Sequence, residues 1–122
     1  MATAQSLLKR TFDTPDETRP AGSGRAEIVR LGGVTFMRTN LPAGWRWSKD
    51  VKPIARTDSC QATHVGYVLS GRMHVVMDDG AEADFGPGDL MLINPGHDAW
   101  ITGTEPYVGL DIAGSDVWAK PQ

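Results

Sequence analysis

Apolar and polar positions alternate in short runs between residues 26 and 112, and glycine- and aspartate-rich punctuation separates the runs. A period of two is the mark of strands that lay one face on a core. Ala26–Leu31 and Val34–Leu41 are two such runs, and the Gly32-Gly33 between them predicts a two-residue hairpin. His64–Leu69 and Met73–Met77 flank Ser70-Gly71, Asp78-Asp79-Gly80 supplies a second reversal, and Ala83–Phe85 runs into Gly86-Pro87-Gly88-Asp89. Together these read as one antiparallel meander. Leu90–Ile93 follows as a strand ended by Asn94-Pro95-Gly96, and Tyr107–Ile112 is the last clear strand after a turn over Thr102–Pro106. The paired rings of Trp45 and Trp47 stand in strand phase, which predicts a wall of core or pocket. Lys49–Arg56, with Pro53, reads as a connection. Eight or nine short strands with no sustained helical period predict an all-β sandwich or barrel.

The flanks differ in character. Residues 1–25 are rich in Asp, Pro and Gly, with Leu7, Leu8 and Phe12 as the only apolar anchors, and read as an N-terminal arm that exchanges with a neighbouring subunit. The barrel then occupies residues 26–114, and residues 115–122 form a tail whose Trp118 needs a cover. At 122 residues, 40% hydrophobic and 22% charged, the chain fits one domain with a core of its own. A net charge of −3 with 12 scattered basic residues excludes a nucleic-acid footprint. No apolar run approaches the roughly 20 residues of a membrane span. The N-terminal residues lack the basic start and apolar middle of a secretion signal. The single cysteine cannot close an internal disulfide, so a free thiol in a reducing, cytoplasmic compartment is expected.

Two stretches resemble motifs of the cupin family. His64-Val65-Gly66-Tyr67-Val68-Leu69-Ser70-Gly71 has the spacing that closes the first cupin motif, and Gly88-Asp89 through Asn94-Pro95-Gly96 is similar to the second. The likeness covers about residues 34 to 112. It implies a jelly-roll β-barrel, a ligand site inside it, and a homodimer. It does not supply the usual metal ligands: the family's His-x-His pair falls on Asp58 and Cys60, its glutamate on His64, and its last histidine on Ala99. With one more intervening residue the pair would be Thr57 and Ser59.

A different site is still open to this chain. All three histidines and the cysteine lie between residues 60 and 97. In an extended segment Asp58, Cys60 and His64 share a face with the lost ligands, and His97 is in phase with Ala99. Cys60, His64 and His97 would make a thiolate and two imidazoles, a set that suits zinc first and iron second. Cys60 is also legible as a small buried hydrophobe, and His97-Asp98 as turn chemistry. His74 alternates with Met73 and Val75 and is expected to face outward. The expected function is a small-molecule barrel with a pocket lined by Trp47, Met73 and Met77. His64 and His97 are its candidate proton-transfer groups, and lyase, isomerase or cyclase chemistry the candidate reaction. The alternative is a metal-free module that binds a small ligand without catalysis. No organic cofactor is indicated, since Gly86-Pro87-Gly88 opens a strand and not a helix.

Overall fold

The computed structural model describes residues 6–122. The elements run β1 (Glu17–Ala21), β2 (Gly24–Leu31), β3 (Val34–Leu41), α1 (Trp47–Asp50), α2 (Lys52–Ala55), β4 (His64–Ser70), β5 (Arg72–Met77), β6 (Glu82–Phe85), β7 (Leu90–Ile93), β8 (His97–Thr102) and β9 (Tyr107–Asp111). They form two antiparallel sheets. One has the order β1-β2-β3-β9-β4-β7 and the other β6-β5-β8. Packed face to face, they make a jelly-roll barrel.

The β2–β3 hairpin forms where expected. Leu31 pairs with Val34, and Gly32 and Gly33 both hold positive φ, 57° and 84°, the left-handed pair that matches the twist of the strands. The β5–β6 reversal also forms, with the Asp79 carboxylate accepting the Ala81 N–H. The expected meander does not hold across Ser70-Gly71. β4 pairs with β7 and β9, whereas β5 pairs with β6 and β8, so the two runs lie in different sheets. Gly71 sits at φ 76°, and a Cβ there would meet the backbone of Pro106 and Tyr107. The chain turns a corner at this point instead of folding back. A local pattern of strand, turn, strand cannot distinguish those outcomes, because the partners come from residues 90–111.

Two further segments differ from expectation. Glu17–Ala21, inside the stretch read as an arm, is an edge strand paired along β2. It carries Pro20, a residue that edge strands tolerate. The Trp45–Arg56 stretch is not extended: Trp47 opens α1, and Pro53 lies in the first turn of α2. The Asp50 carboxylate fixes these helical turns by accepting N–H groups from Arg46 and Ser23.

The core lies between the sheets. Ile28, Met37, Val68, Trp45, Trp47 and Val51 are among its fully buried side chains. Trp118 is covered by the barrel end, its ring centroid 6.4 Å from that of Trp45. The buried Arg19 guanidinium donates to the Ser115 and Trp118 carbonyls, which pins the tail to β1. No helix among the described residues is long and apolar enough to cross a membrane.

Candidate metal centre

Cys60 lies just before β4 and bridges directly to His97 at the start of β8. Its N–H donates to the His97 carbonyl at 2.7 Å, and its carbonyl accepts the Gly96 N–H at 2.7 Å. Residues paired directly across two antiparallel strands send their side chains the same way, so the turn at Gly96, φ 95°, aims His97 at the sulfur. His64 begins β4 opposite Ile93 and enters from the other sheet. The donor atoms of Cys60, His64 and His97 all lie within 4.8 Å of one another. Cys60 Sγ is 4.0 Å from His64 Nε2, and the two imidazoles meet edge to face with centroids 5.2 Å apart.

Each imidazole has its other nitrogen spent. His64 Nδ1 lies 2.5 Å from Asp111 Oδ2, and His97 Nδ1 donates to the Asn94 carbonyl at 2.8 Å. A proton held on Nδ1 leaves Nε2 as the nitrogen that faces the sulfur. Asp111 is itself buried, and its second oxygen accepts the Val65 N–H at 3.1 Å and the Ala113 N–H at 3.2 Å. Among these groups burial pushes the Cys60 thiol up, but hydrogen bonds from His64 and His97 and their charge outweigh it and bring it down to about 6. Burial would push His64 down, yet the Asp111 bond and the Cys60 sulfur hold it up at about 9. Without a metal, the site is therefore a thiolate beside an imidazolium that leans on a carboxylate.

The site opens on a cavity of about 40 Å³, room for about three water-sized bodies. Trp47 and Met73 line it, and so does Ala99, which stands where the family's last histidine would be. Met77 does not. It is the inward partner of His97 in the β5–β8 register, but that end of the strand overhangs an outer groove shared with Val75 and Phe85. Asp58 is exposed and takes no part, because the chain around it is a bend rather than a strand in phase with Cys60. His74 faces outward, held by Asp84 at 2.7 Å and Glu82 at 2.9 Å.

Sequence reasoning missed Asp111 and Tyr107. The signal was there: Tyr107, Gly109 and Asp111 alternate on one face of β9, and a carboxylate in the buried phase of a strand needs a partner. What was lacking was the knowledge that β9 lies beside β4, which the register Gly66↔Asp111 supplies.

The donor chemistry fits a divalent transition metal. One sulfur and two imidazole nitrogens is a three-ligand set typical of zinc with a fourth position open. Tetrahedral zinc places such donors roughly 3.5 Å apart, close to the 4.0 Å seen here. The carboxylate and carbonyl behind the imidazoles are the outer partners that metal-bound histidines use.

A two-sheet jelly roll with an inward-facing cluster of residues able to hold a metal defines a barrel of the cupin class. Residues 40–108 match the model of the EutQ-like cupin domain, and the chain belongs to that family. No curated protein matches the chain in sequence. Among solved structures, a protein of unknown function from Rhizobium leguminosarum bv. viciae 3841 is 19% identical, with a TM-score of 0.63 over 97% of this chain and 100% of that one. A Cupin 2 conserved barrel domain protein from Salinispora arenicola CNS-205 is 14% identical, with a TM-score of 0.59 over 91% and 89%. The oxalate decarboxylase of Lactobacillus farciminis, solved as a formate complex, is 14% identical with a TM-score of 0.58, and 84% of this chain covers 32% of that one. At these identities the likeness is one of fold.

Proposed function

We propose that this barrel is a divalent-metal-dependent enzyme for a small molecule, with Cys60, His64 and His97 as the protein ligands and zinc favoured over iron. The observation that carries the reading is the convergence of three donors whose imidazoles both have Nδ1 committed elsewhere. A bound divalent ion would polarise a substrate oxygen or lower the pKa of bound water. Asp111 holds the His64 ring in its tautomer and orientation, and Trp47 and Met73 keep the cavity apolar. With both Nε2 atoms engaged as ligands, His64 and His97 orient and do not carry protons. A lyase, isomerase or cyclase reaction suits a site with no indicated organic cofactor, and a reducing cytoplasm would keep the Cys60 thiol available.

The second reading is a metal-free ligand-binding module. It is favoured by the pairing already present without a metal, in which His64 sits between the Cys60 sulfur and the Asp111 carboxylate. Elemental analysis of protein purified without a metal-affinity tag separates the two. About one zinc or iron per chain is expected, falling severalfold in Cys60→Ser and His97→Ala but not in His74→Ala. Less than about a tenth of an ion per chain, with no uptake on adding zinc or iron, would leave the binding module.

The same reading includes a homodimer formed through the outer face of the larger sheet. Tyr67 is paired with both Leu90 and Leu110, and Val65 with Leu92. Leu90 and Leu92 are 79% and 69% exposed on the edge strand β7. A contiguous apolar face on a sheet edge favours association with a second copy.

A further inference from the structure

We infer that the Tyr107 hydroxyl positions substrate in the cavity, and that it selects a small uncharged compound with two oxygens, such as a hydroxyketone, over a carboxylate. This rests on the metal-binding reading above.

Tyr107 is 2% exposed, and its hydroxyl donates only to Met91 Sδ, at 3.6 Å. A thioether is a weak acceptor, so a phenol buried with no better partner is an unspent donor. Its aim is set by the strand. A Cβ at Gly109 would lie 2.5 Å from the Tyr107 hydroxyl oxygen. The missing side chain at 109 is what lets the phenol lie along β9 with its oxygen on the cavity wall. Thr39, registered opposite Gly109, brings the neighbouring hydroxyl-bearing side chain to the same wall. Asp111 is two residues further along the same face, about 7 Å on at strand spacing, and His64 is bonded to it. The cavity therefore has two polar ends, one lined by His64 and His97, with the Cys60 sulfur beside them, and one by Tyr107, with apolar walls of Trp47, Met73 and Ile93 between. A ligand of about three to five heavy atoms fits that span and volume.

The charge of the occupant follows from the groups present. A divalent ion, one thiolate and the Asp111 carboxylate sum to zero with both imidazoles neutral. Neither Arg nor Lys lines the cavity. A carboxylate would leave the cluster with a net negative charge and no Arg or Lys to offset it, which an apolar cavity disfavours. Burial and the Asp111 charge push the Tyr107 phenol up, so it stays an O–H donor suited to a carbonyl or alcohol oxygen.

The test uses the cobalt-loaded full-length protein and reads the thiolate-to-cobalt and ligand-field absorption bands while hydroxyacetone, acetone or acetate is added. Hydroxyacetone is expected to shift the bands saturably and to bind at least about tenfold more tightly than either of the others, since acetone lacks the second oxygen and acetate carries the charge. Tyr107→Phe should lose about tenfold for hydroxyacetone with acetone unchanged and cobalt stoichiometry intact. Gly109→Ala, which displaces the phenol, should do the same and serves if Tyr107→Phe is unstable. Acetate binding as tightly as hydroxyacetone, or unaltered hydroxyacetone affinity in both variants, would overturn the inference with the metal centre left standing. Absence of any thiolate-to-cobalt band would overturn the metal centre and this inference together.

Discussion

At the scale of single residues, Asp111 decides what the donor cluster can bind. Its carboxylate keeps the His64 proton on Nδ1 and so leaves Nε2 for the cavity. Asp111→Asn replaces an ionic acceptor by a weaker one that can also turn its donor toward the ring. Metal affinity is expected to fall about 10–100-fold, measured by competition with a chromophoric chelator. The metal-free protein has its own signature. The Cys60 pKa is depressed, so the thiolate's contribution to stability is complete above the ordinary thiol value of 9.0 and is lost as pH falls through about 6. The His64 pKa is raised, so its contribution is complete below the ordinary 6.5 and is lost as pH rises through about 9. The ion pair therefore stands between about 6 and about 9. Thermal melts of metal-free protein should reach their plateau in that window, and thiolate ultraviolet absorbance should appear with a midpoint near 6. A thiol that titrates near 9.0 would contradict the pairing.

At the scale of elements, most strands were readable because each carries its own period of two and its own turn residues. Val34–Leu41 and Leu90–Ile93 have the same bounds in the sequence and in the structure, and β2 and β6 differ by no more than two residues at one end. The errors came where partners, not patterns, set the outcome. β4 and β5 flank a glycine as a hairpin would, yet they belong to different sheets. This gives Gly71 and Gly80 different weights although both hold positive φ. A Cβ at Gly71 runs into the backbone of Pro106 and Tyr107, while one at Gly80 meets nothing within 4 Å. Gly80→Ala should cost only the backbone term of about 1–2 kcal/mol. Gly71→Ala should cost clearly more in a urea unfolding series, and equal costs would argue against the corner.

At the scale of the whole molecule, the tail closes one end of the barrel and the larger sheet leaves one face bare. Trp118 packs on Trp45 in the cavity wall, so Trp118→Ala should lower stability by about 3–5 kcal/mol. It should also loosen the site, seen as faster loss of bound metal to a chelator. The bare face predicts that light scattering at micromolar concentration will report a dimer, and that Leu92→Glu will give a monomer of unchanged circular dichroism. A wild-type monomer would count against the dimer and leave the metal centre untouched.

The chain alone determined that the fold is a small all-β barrel and that a sulfur and two imidazoles were available to it, because periodicity and donor chemistry are properties of each residue in place. Tertiary structure decided the rest. It brought β9 against β4 so that Asp111 could hold His64, left Met77 out of the cavity lining, and laid Tyr107 across Gly109. Each depends on which strands become neighbours, and strand pairing is a long-range choice that no local pattern encodes.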